Sequence, residues 1–225
     1  MGFSIIIVAL LVLIQYSSSS ILSVSNKRFI VFGGSGRVGG SSVRSLLDLN
    51  KGHHVTIAGR NKQNYYNILQ RINKNDNDVN FIEIDMNDEV SVRRVLSDTK
   101  YDCIINTAGP FQGLSSPNLM KLCLEYGLHY IDVCDDIKLS RIARSDIYQQ
   151  LAKDNNGHAC ISTGIWPGVS SLLAQELIEK YANGHDNVDE VTFDFFTAGS
   201  GGAGETILTA TFLLLGENVV SSSSS

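Results

Sequence analysis

No Cys-x-x-Cys pair occurs in the chain, and its four cysteines, Cys103, Cys123, Cys134 and Cys160, follow one another at gaps of 20, 11 and 26 residues. That spacing removes zinc-ribbon and thioredoxin-type chemistry. Three of the four stand in or beside apolar runs, so free core thiols are expected and no metal ligand set is indicated. Proline is scarce, 3 residues against 20 glycines, which excludes collagen-like and proline-rich architectures. A basic surplus is also missing: 18 Lys and Arg against 23 Asp and Glu leave a net charge of −5. Nucleic-acid partners are therefore disfavoured, although a local pocket can oppose the global sign and hold an anion. There is no Gly-x-Ser-x-Gly elbow, no His-Glu-x-x-His and no P-loop, so three common hydrolytic and nucleotide chemistries lack their parts. What is present is enough for a core: 43% of the 225 residues are hydrophobic and 18% charged.

The N-terminus lacks cations, with no Lys or Arg before Lys27. It holds an unbroken apolar run from Ile5 to Ile14, followed by serines at Ser17 to Ser20. Such a run is too short for a bilayer, which needs about 20 residues, but suits a signal-peptide core. Residues 1–26 are expected to be a signal-like segment outside the folded domain, with a membrane-anchoring or adventitious extension as the alternative. It suggests import into the endoplasmic reticulum or an organelle such as a plastid; otherwise the chain is expected in the cytoplasm. No Asn-x-Ser/Thr site accompanies it. Residues 221–225 are all serine and are expected to be disordered.

From Lys27 on, short apolar runs alternate with helical periods. Strands are expected at Arg28–Phe32, His54–Ala58, Val79–Ile84, Asp102–Asn106, His129–Val133 and His158–Ser162. Helices are expected at Val38–Leu49, Lys62–Asn73, Glu89–Leu96, Leu119–Tyr126 and Lys138–Lys153, with Gly127 as the residue that stops the fourth. Six strands separated by helices imply an α/β fold with a parallel sheet covered on both faces.

The first strand runs into Gly33-Gly34-Ser35-Gly36-Arg37-Val38-Gly39-Gly40. Gly34, Gly36 and Gly39 satisfy Gly-x-Gly-x-x-Gly, between a strand and a helix, where that motif binds dinucleotides. Gly34 is expected to make the tight turn, Gly36 to admit a pyrophosphate, and Gly39 to let the helix approach the sheet. The helix N-terminus then offers N–H groups and partial positive charge to phosphate. An NAD site needs a carboxylate about 20 residues on. Here Arg60 stands 21 residues after Gly39, followed by Asn61 and Lys62. A guanidinium holds a 2′-phosphate bidentately, so NADP is the expected cofactor. Asp85, after the third strand, either touches the adenine amine or starts the next helix. Thr107, Ala108 and Gly109 close the fourth strand with small residues beside the expected nicotinamide.

Taken in order, VFGGSGRVGG, VTIAGRN, INTAGPFQ, CLEYGLHYIDVCDD and TGIWPGVSSLLA resemble the NADP-binding domain of saccharopine dehydrogenase-like oxidoreductases, over about residues 27–216. The resemblance implies a Rossmann-type doubly wound parallel sheet with a second α/β domain after the sixth strand. It places Gly34, Ser35, Gly36, Arg37 and Val38 on the pyrophosphate, Arg60 and Asn61 on the 2′-phosphate, and Thr107, Ala108 and Gly109 at the nicotinamide. The dinucleotide domain is expected at residues 27–187. The truncated start of the substrate domain is expected at 188–220, opening with the strand VTFDFFTAG. The apolar stretch ILTATFLLL in that part expects burial on two sides.

The implied function is NADP(H)-dependent hydride transfer on an imine or amine, with a small-molecule, amino-acid-derived substrate and a homodimer as expected partners. No catalytic acid stands out. His129, Tyr130, Asp132 and Asp135 gather around the fifth strand, and Asp132 either faces the cleft or makes a structural hydrogen bond. Trp166-Pro167-Gly168 precedes a helix whose N-terminus could meet an anionic substrate. The Tyr-x-x-x-Lys pair of short-chain dehydrogenases is missing at every tyrosine. Whether the chain is itself an enzyme stays open: a non-catalytic NADPH sensor or scaffold, or an inactive truncated fragment, is the alternative.

Overall fold

The structure, a computed structural model, describes residues 25–50, 52–182, 185–194 and 209. Residues 1–24 and 221–225 lie outside it, as does most of the expected start of a second domain. Of that start, residues 188–194 and 209 are described, and 188–194 have no regular secondary structure.

Six strands form one parallel sheet: β1 (Arg28–Phe32), β2 (His54–Gly59), β3 (Asn80–Glu83), β4 (Cys103–Asn106), β5 (His129–Asp132) and β6 (His158–Cys160). Their spatial order is β3-β2-β1-β4-β5-β6, the doubly wound arrangement. β1 lies at its centre, with Val31 opposite Ile57 on one side and Ile105 on the other. The chain reverses its direction of travel across the sheet between β1 and β4, so the ends of those two strands flank the topological switch point.

Side-chain alternation along β1 builds the two cores. Ile30 and Phe32 join Ile104, Tyr130 and the helices α3 (Glu89–Asp98) and α4 (Asn118–Glu125). Val31 joins Ile57 and Ile105 under α1 (Arg37–Leu49) and α2 (Lys62–Ile72). Ile30, Val31, Val43, Ile57, Val92 and Ile104 are fully buried, each contributing about 1.5–3 kcal/mol of apolar burial.

The sequence expectation needs two adjustments. The segment Lys138–Lys153 is two helices, α5 (Ile137–Ala143) and α6 (Asp146–Asp154). Ser145 is extended between them, and its carbonyl accepts Tyr148 N and Gln149 N to start α6. The break has a packing reason. Leu139 of α5 fills a small cluster with Phe111 and Cys134, whereas Tyr148 and Leu151 of α6 pack on the main core. β3 and β6, the two edge strands, are shorter than expected and carry exposed residues, because an edge strand has fewer neighbours to bury it. Gly127 does end α4, with φ +67°. A last helix, α7 (Val169–Leu177), follows β6 and buries none of its side chains. Cys103, Cys123 and Cys134 are buried free thiols and Cys160 is an exposed one; burial pushes the Cys134 thiol up to about 11. Among the described residues no helix is long and apolar enough to cross a membrane.

Candidate functional site

β1 ends in a turn that only glycine permits. Gly33 has φ +75°, and a Cβ there would lie 2.7 Å from Ala108 N. Its amide donates to Ala58 O at 3.2 Å. The tight turn expected at Gly34 has its left-handed residue at Gly33. Gly34 is held small by Ile57, whose Cγ1 would be 2.9 Å from an added Cβ. Gly39 is the close-packing residue: an added Cβ would overlap Gly33 O and lie 2.6 Å from Gly34 Cα and from Thr107 Oγ1. Gly36 differs from all of these. It is exposed, and an added Cβ would meet only Gly33 O, at 3.1 Å.

α1 begins on that open residue. Gly36 is its N-cap and provides no side-chain cap, and no acidic residue occupies the first turn. The first intrahelical bond runs from Gly40 N to Gly36 O at 2.9 Å. The amides of Val38 and Gly39 precede it and have no acceptor inside the helix. With the helix dipole, this end favours an anion.

The ends of the neighbouring strands close around the turn. At β2, a Cβ on Gly59 would come within 3.3 Å of Ser35 Oγ, so the exposed Arg60 that follows stands beside the glycine turn. Asn61 caps α2, its Oδ1 accepting Gln63 N at 2.7 Å and Asn64 N at 3.2 Å. At β3, Asp85 Oδ1 accepts Asn87 N at 2.9 Å. The cap of α3 is Asp88 rather than Asp85, accepting Ser91 N at 3.2 Å. At β4, Thr107 N and Oγ1 both donate to Phe32 O at 2.9 Å, tying the Thr107–Gly109 turn to the end of β1. Gly34 through Val38, Arg60 and Thr107 through Gly109 thus share one end of the sheet at the switch point. Asp85 stands at the same end, two strands away from β1.

The residues gathered around β5 divide. His129 sits at the start of β5 and pairs with His158, ring centroids 5.1 Å apart, at the opposite end of the sheet from the glycine turn. Tyr130 and Asp132 are buried on one face. Asp132 Oδ1 accepts Ser162 N at 2.7 Å and Cys134 N at 3.1 Å, and its backbone carbonyl accepts Thr163 N and Oγ1. Tyr130 Oη accepts Asn106 Nδ2 at 3.0 Å, while Asn106 Oδ1 accepts Ala108 N at 3.1 Å. Asp132 is therefore both structural and cavity-facing, since Asn106, Tyr130 and Asp132 line one hollow beside α4 and α5. Burial raises the Asp132 carboxyl above the usual carboxylate range despite its hydrogen bonds, and lifts Tyr130 well above an ordinary phenol. The sequence places Asn106 at the close of the fourth strand; its bonds to Tyr130 and Ala108 come from the fold. Gln112, three residues past Gly109, donates from Nε2 to Asp135 Oδ1 at 2.8 Å and keeps a buried Oε1 without a partner among the described residues. Trp166 and Gly168 do precede a helix, but Trp166 packs edge-on against Phe193 at 5.1 Å.

Residues 29–161 match the family described as the saccharopine dehydrogenase NADP binding domain. A saccharopine dehydrogenase (L-Glu forming) from Saccharomyces cerevisiae, solved in its apo form, superposes with a TM-score of 0.51 over 69% of this chain and 31% of that chain, at 21% identity, a likeness of fold. UDP-glucose 4-epimerase 2 of Arabidopsis thaliana is 30% identical over 87 residues, which are 37% of this chain and 24% of the relative. The chain thus spans about a quarter to a third of the length of these proteins. On its fold, its glycine turn and a family match over more than half its length, this chain belongs to the saccharopine dehydrogenase NADP binding domain family.

Proposed function

We propose that this chain carries the NADP(H)-binding part of an oxidoreductase that moves hydride to or from an imine or amine carbon. The residues present fit such a cofactor on one test: the surface over Gly36 is open where the other motif glycines are filled by backbone or core. In this reading Gly34, Ser35, Gly36, Arg37 and Val38 hold the pyrophosphate against the uncapped end of α1. Arg60 grips the 2′-phosphate, and Asn61 contributes its amide N–H while its oxygen caps α2. Asp85 lies on the adenine side, and Thr107, Ala108 and Gly109 line the nicotinamide. The unmet Gln112 Oε1 is an acceptor near that turn. The bound nicotinamide supplies the hydride chemistry; these residues orient it and exclude bulk from its path.

The observation that carries the cofactor preference is Arg60, exposed directly after Gly59 at the end of β2, where an NAD site needs a carboxylate. A charge-assisted bond to phosphate contributes about 1.5–3 kcal/mol, roughly 10- to 150-fold in affinity. Arg60→Ala should weaken NADPH by that factor and leave NADH nearly unchanged. Arg60→Asp should move the preference toward NADH. Fluorescence titration of both cofactors against the three proteins at fixed salt decides it. Equal wild-type affinity for NADH and NADPH, or equal weakening of both by Arg60→Ala, removes the NADP preference.

A second reading has one observation in its favour. Asp132 and Tyr130, the buried acids of β5, are engaged in structural hydrogen bonds. A nucleotide-binding sensor or scaffold would need no free acid. NADPH binding with no turnover of any imine or amine by the full-length protein would favour it.

A further inference from the structure

The hollow beside β4 and β5 has a volume of about 160 Å³. An apolar cavity of about 150 Å³ holds a benzene molecule, so a six-membered ring fits here. Its back wall is polar: Asn106 at the end of β4, with Tyr130 and Asp132 of β5 on the same face of the sheet. Its side walls are apolar, built from Phe111, Leu119 of α4 and Leu139 of α5. The exposed side chains of Asn87, Glu89, Leu114 and Asn118 also line it, so it opens to solvent. A concave, mostly apolar site with a few convergent polar groups is the usual form of a small-molecule pocket.

The charges around it choose the ligand. The lining contains two carboxylates, Asp132 and Glu89, and no Lys, Arg or His. Glu89 is paired with Arg93 at 2.7 Å, which leaves Asp132 as the buried acid. An anion entering this space would meet a carboxylate with no cation to offset it, and would lose its hydration as well. A carboxylate has about four acceptor positions. Asp132 uses Oδ1 for two amides and interacts with the Tyr130 hydroxyl, so capacity remains for one more donor.

We propose that this cavity is a binding site for a compact ring-sized molecule bearing an ammonium or neutral N–H donor, held by Asp132 and Asn106, and that it rejects carboxylates of the same shape. The site goes beyond the cofactor reading, uses none of the residues assigned to the dinucleotide, and is joined to them by two bonds, from Ala108 N to Asn106 Oδ1 and from Asn87 N to Asp85 Oδ1. If the oxidoreductase reading holds as well, it is the amine end of the substrate, not a carboxylate end, that this pocket accepts.

The test titrates the whole chain, without nucleotide, with benzylammonium, benzamide and benzoate, following amide chemical shifts. Benzylammonium and benzamide should bind saturably and move the amides of Cys134 and Ser162, and benzoate should not bind. Ala143→Phe fills the cavity from α5 without touching a polar partner and should abolish binding of both. Asp132→Asn should weaken benzylammonium by roughly tenfold or more, with a smaller effect on benzamide. Benzoate binding as well as benzylammonium, the same affinity in a folded Ala143→Phe protein, or no saturable binding of either donor would overturn the proposal. An NADPH titration of the same samples keeps the two readings apart. Its failure would remove the cofactor reading while leaving the cavity result standing.

Discussion

At the scale of single residues, two glycines of one motif do opposite things. Gly36 faces open space, and Gly39 is pressed into the backbone of Gly33 and Gly34. Gly36→Val therefore leaves the fold standing and covers the surface over the α1 N-terminus. NADPH affinity should fall sharply with little change in the unfolding midpoint. Gly39→Val forces backbone apart at the centre of the sheet and should destabilise by several kcal/mol or prevent folding, as overpacking against unyielding neighbours does. Urea unfolding and NADPH titration on both variants check this. A folded Gly36→Val protein that binds NADPH like the wild type would remove the phosphate role of the turn. The spacing of these glycines was legible in the sequence because the motif ties each to a geometric need. The left-handed conformation of Gly33 was not, since two adjacent glycines look alike until the backbone of Thr107 and Ala108 arrives beside them.

At the scale of elements, the proposed site gives one side chain at the start of α2 two uses, stability and binding, through different atoms. Asn61 Oδ1 caps the helix, and the proposed phosphate contact uses the amide N–H. Asn61→Ala removes both and should cost about 0.5–2 kcal/mol of stability. Asn61→Asp keeps the cap and places a negative charge next to Arg60, so it should keep stability and still weaken NADPH. Thermal unfolding and nucleotide titration of the two variants separate the effects; normal NADPH affinity in Asn61→Asp would confine Asn61 to capping. The order and type of the elements could be read from the alternation of apolar runs and helical periods. The division of α5 from α6 could not. Periodicity runs smoothly through Arg144 and Ser145, and the break comes from two separate clusters that pull Leu139 one way and Leu151 another. Likewise Asp132 could be placed on a strand face, but its hydrogen bond to Ser162, 30 residues away, required β6 to lie beside β5.

At the scale of the whole molecule, the end of the sheet away from the glycine turn is tuned by histidines. His53 is buried and accepts Lys27 N on Nδ1 at 3.2 Å. Burial holds it below the usual imidazole range, with Asp102 opposing. His129 is held down by burial, by His158 and by Lys27, again against Asp102. A base whose folded value is lowered takes its proton first in the unfolded chain. Stability should therefore be full at neutral pH and decline as pH falls below the ordinary imidazole value of about 6.5. The urea midpoint should drop between pH 7.5 and 5.5, and His53→Gln should flatten that drop even if it lowers the midpoint overall. An unchanged wild-type midpoint across that range would mean that these histidines are not held neutral by the fold.

Because every strand runs the same way, the sheet has a working edge and an idle one. All helix-to-strand turns lie on the idle edge. One of them is closed by its own atoms: Asp78 N donates to Asn75 O at 3.0 Å, and Asn75 N to Asp78 Oδ2 at 2.9 Å, with all four residues from Asn75 to Asp78 exposed. Surface turns of this kind tolerate inserted sequence well. A fluorescent label or epitope placed between Asp76 and Asn77 would report on this protein from the side opposite the proposed binding sites. Its signal would follow the molecule's whereabouts and assembly while leaving the glycine-turn end of the sheet unhindered.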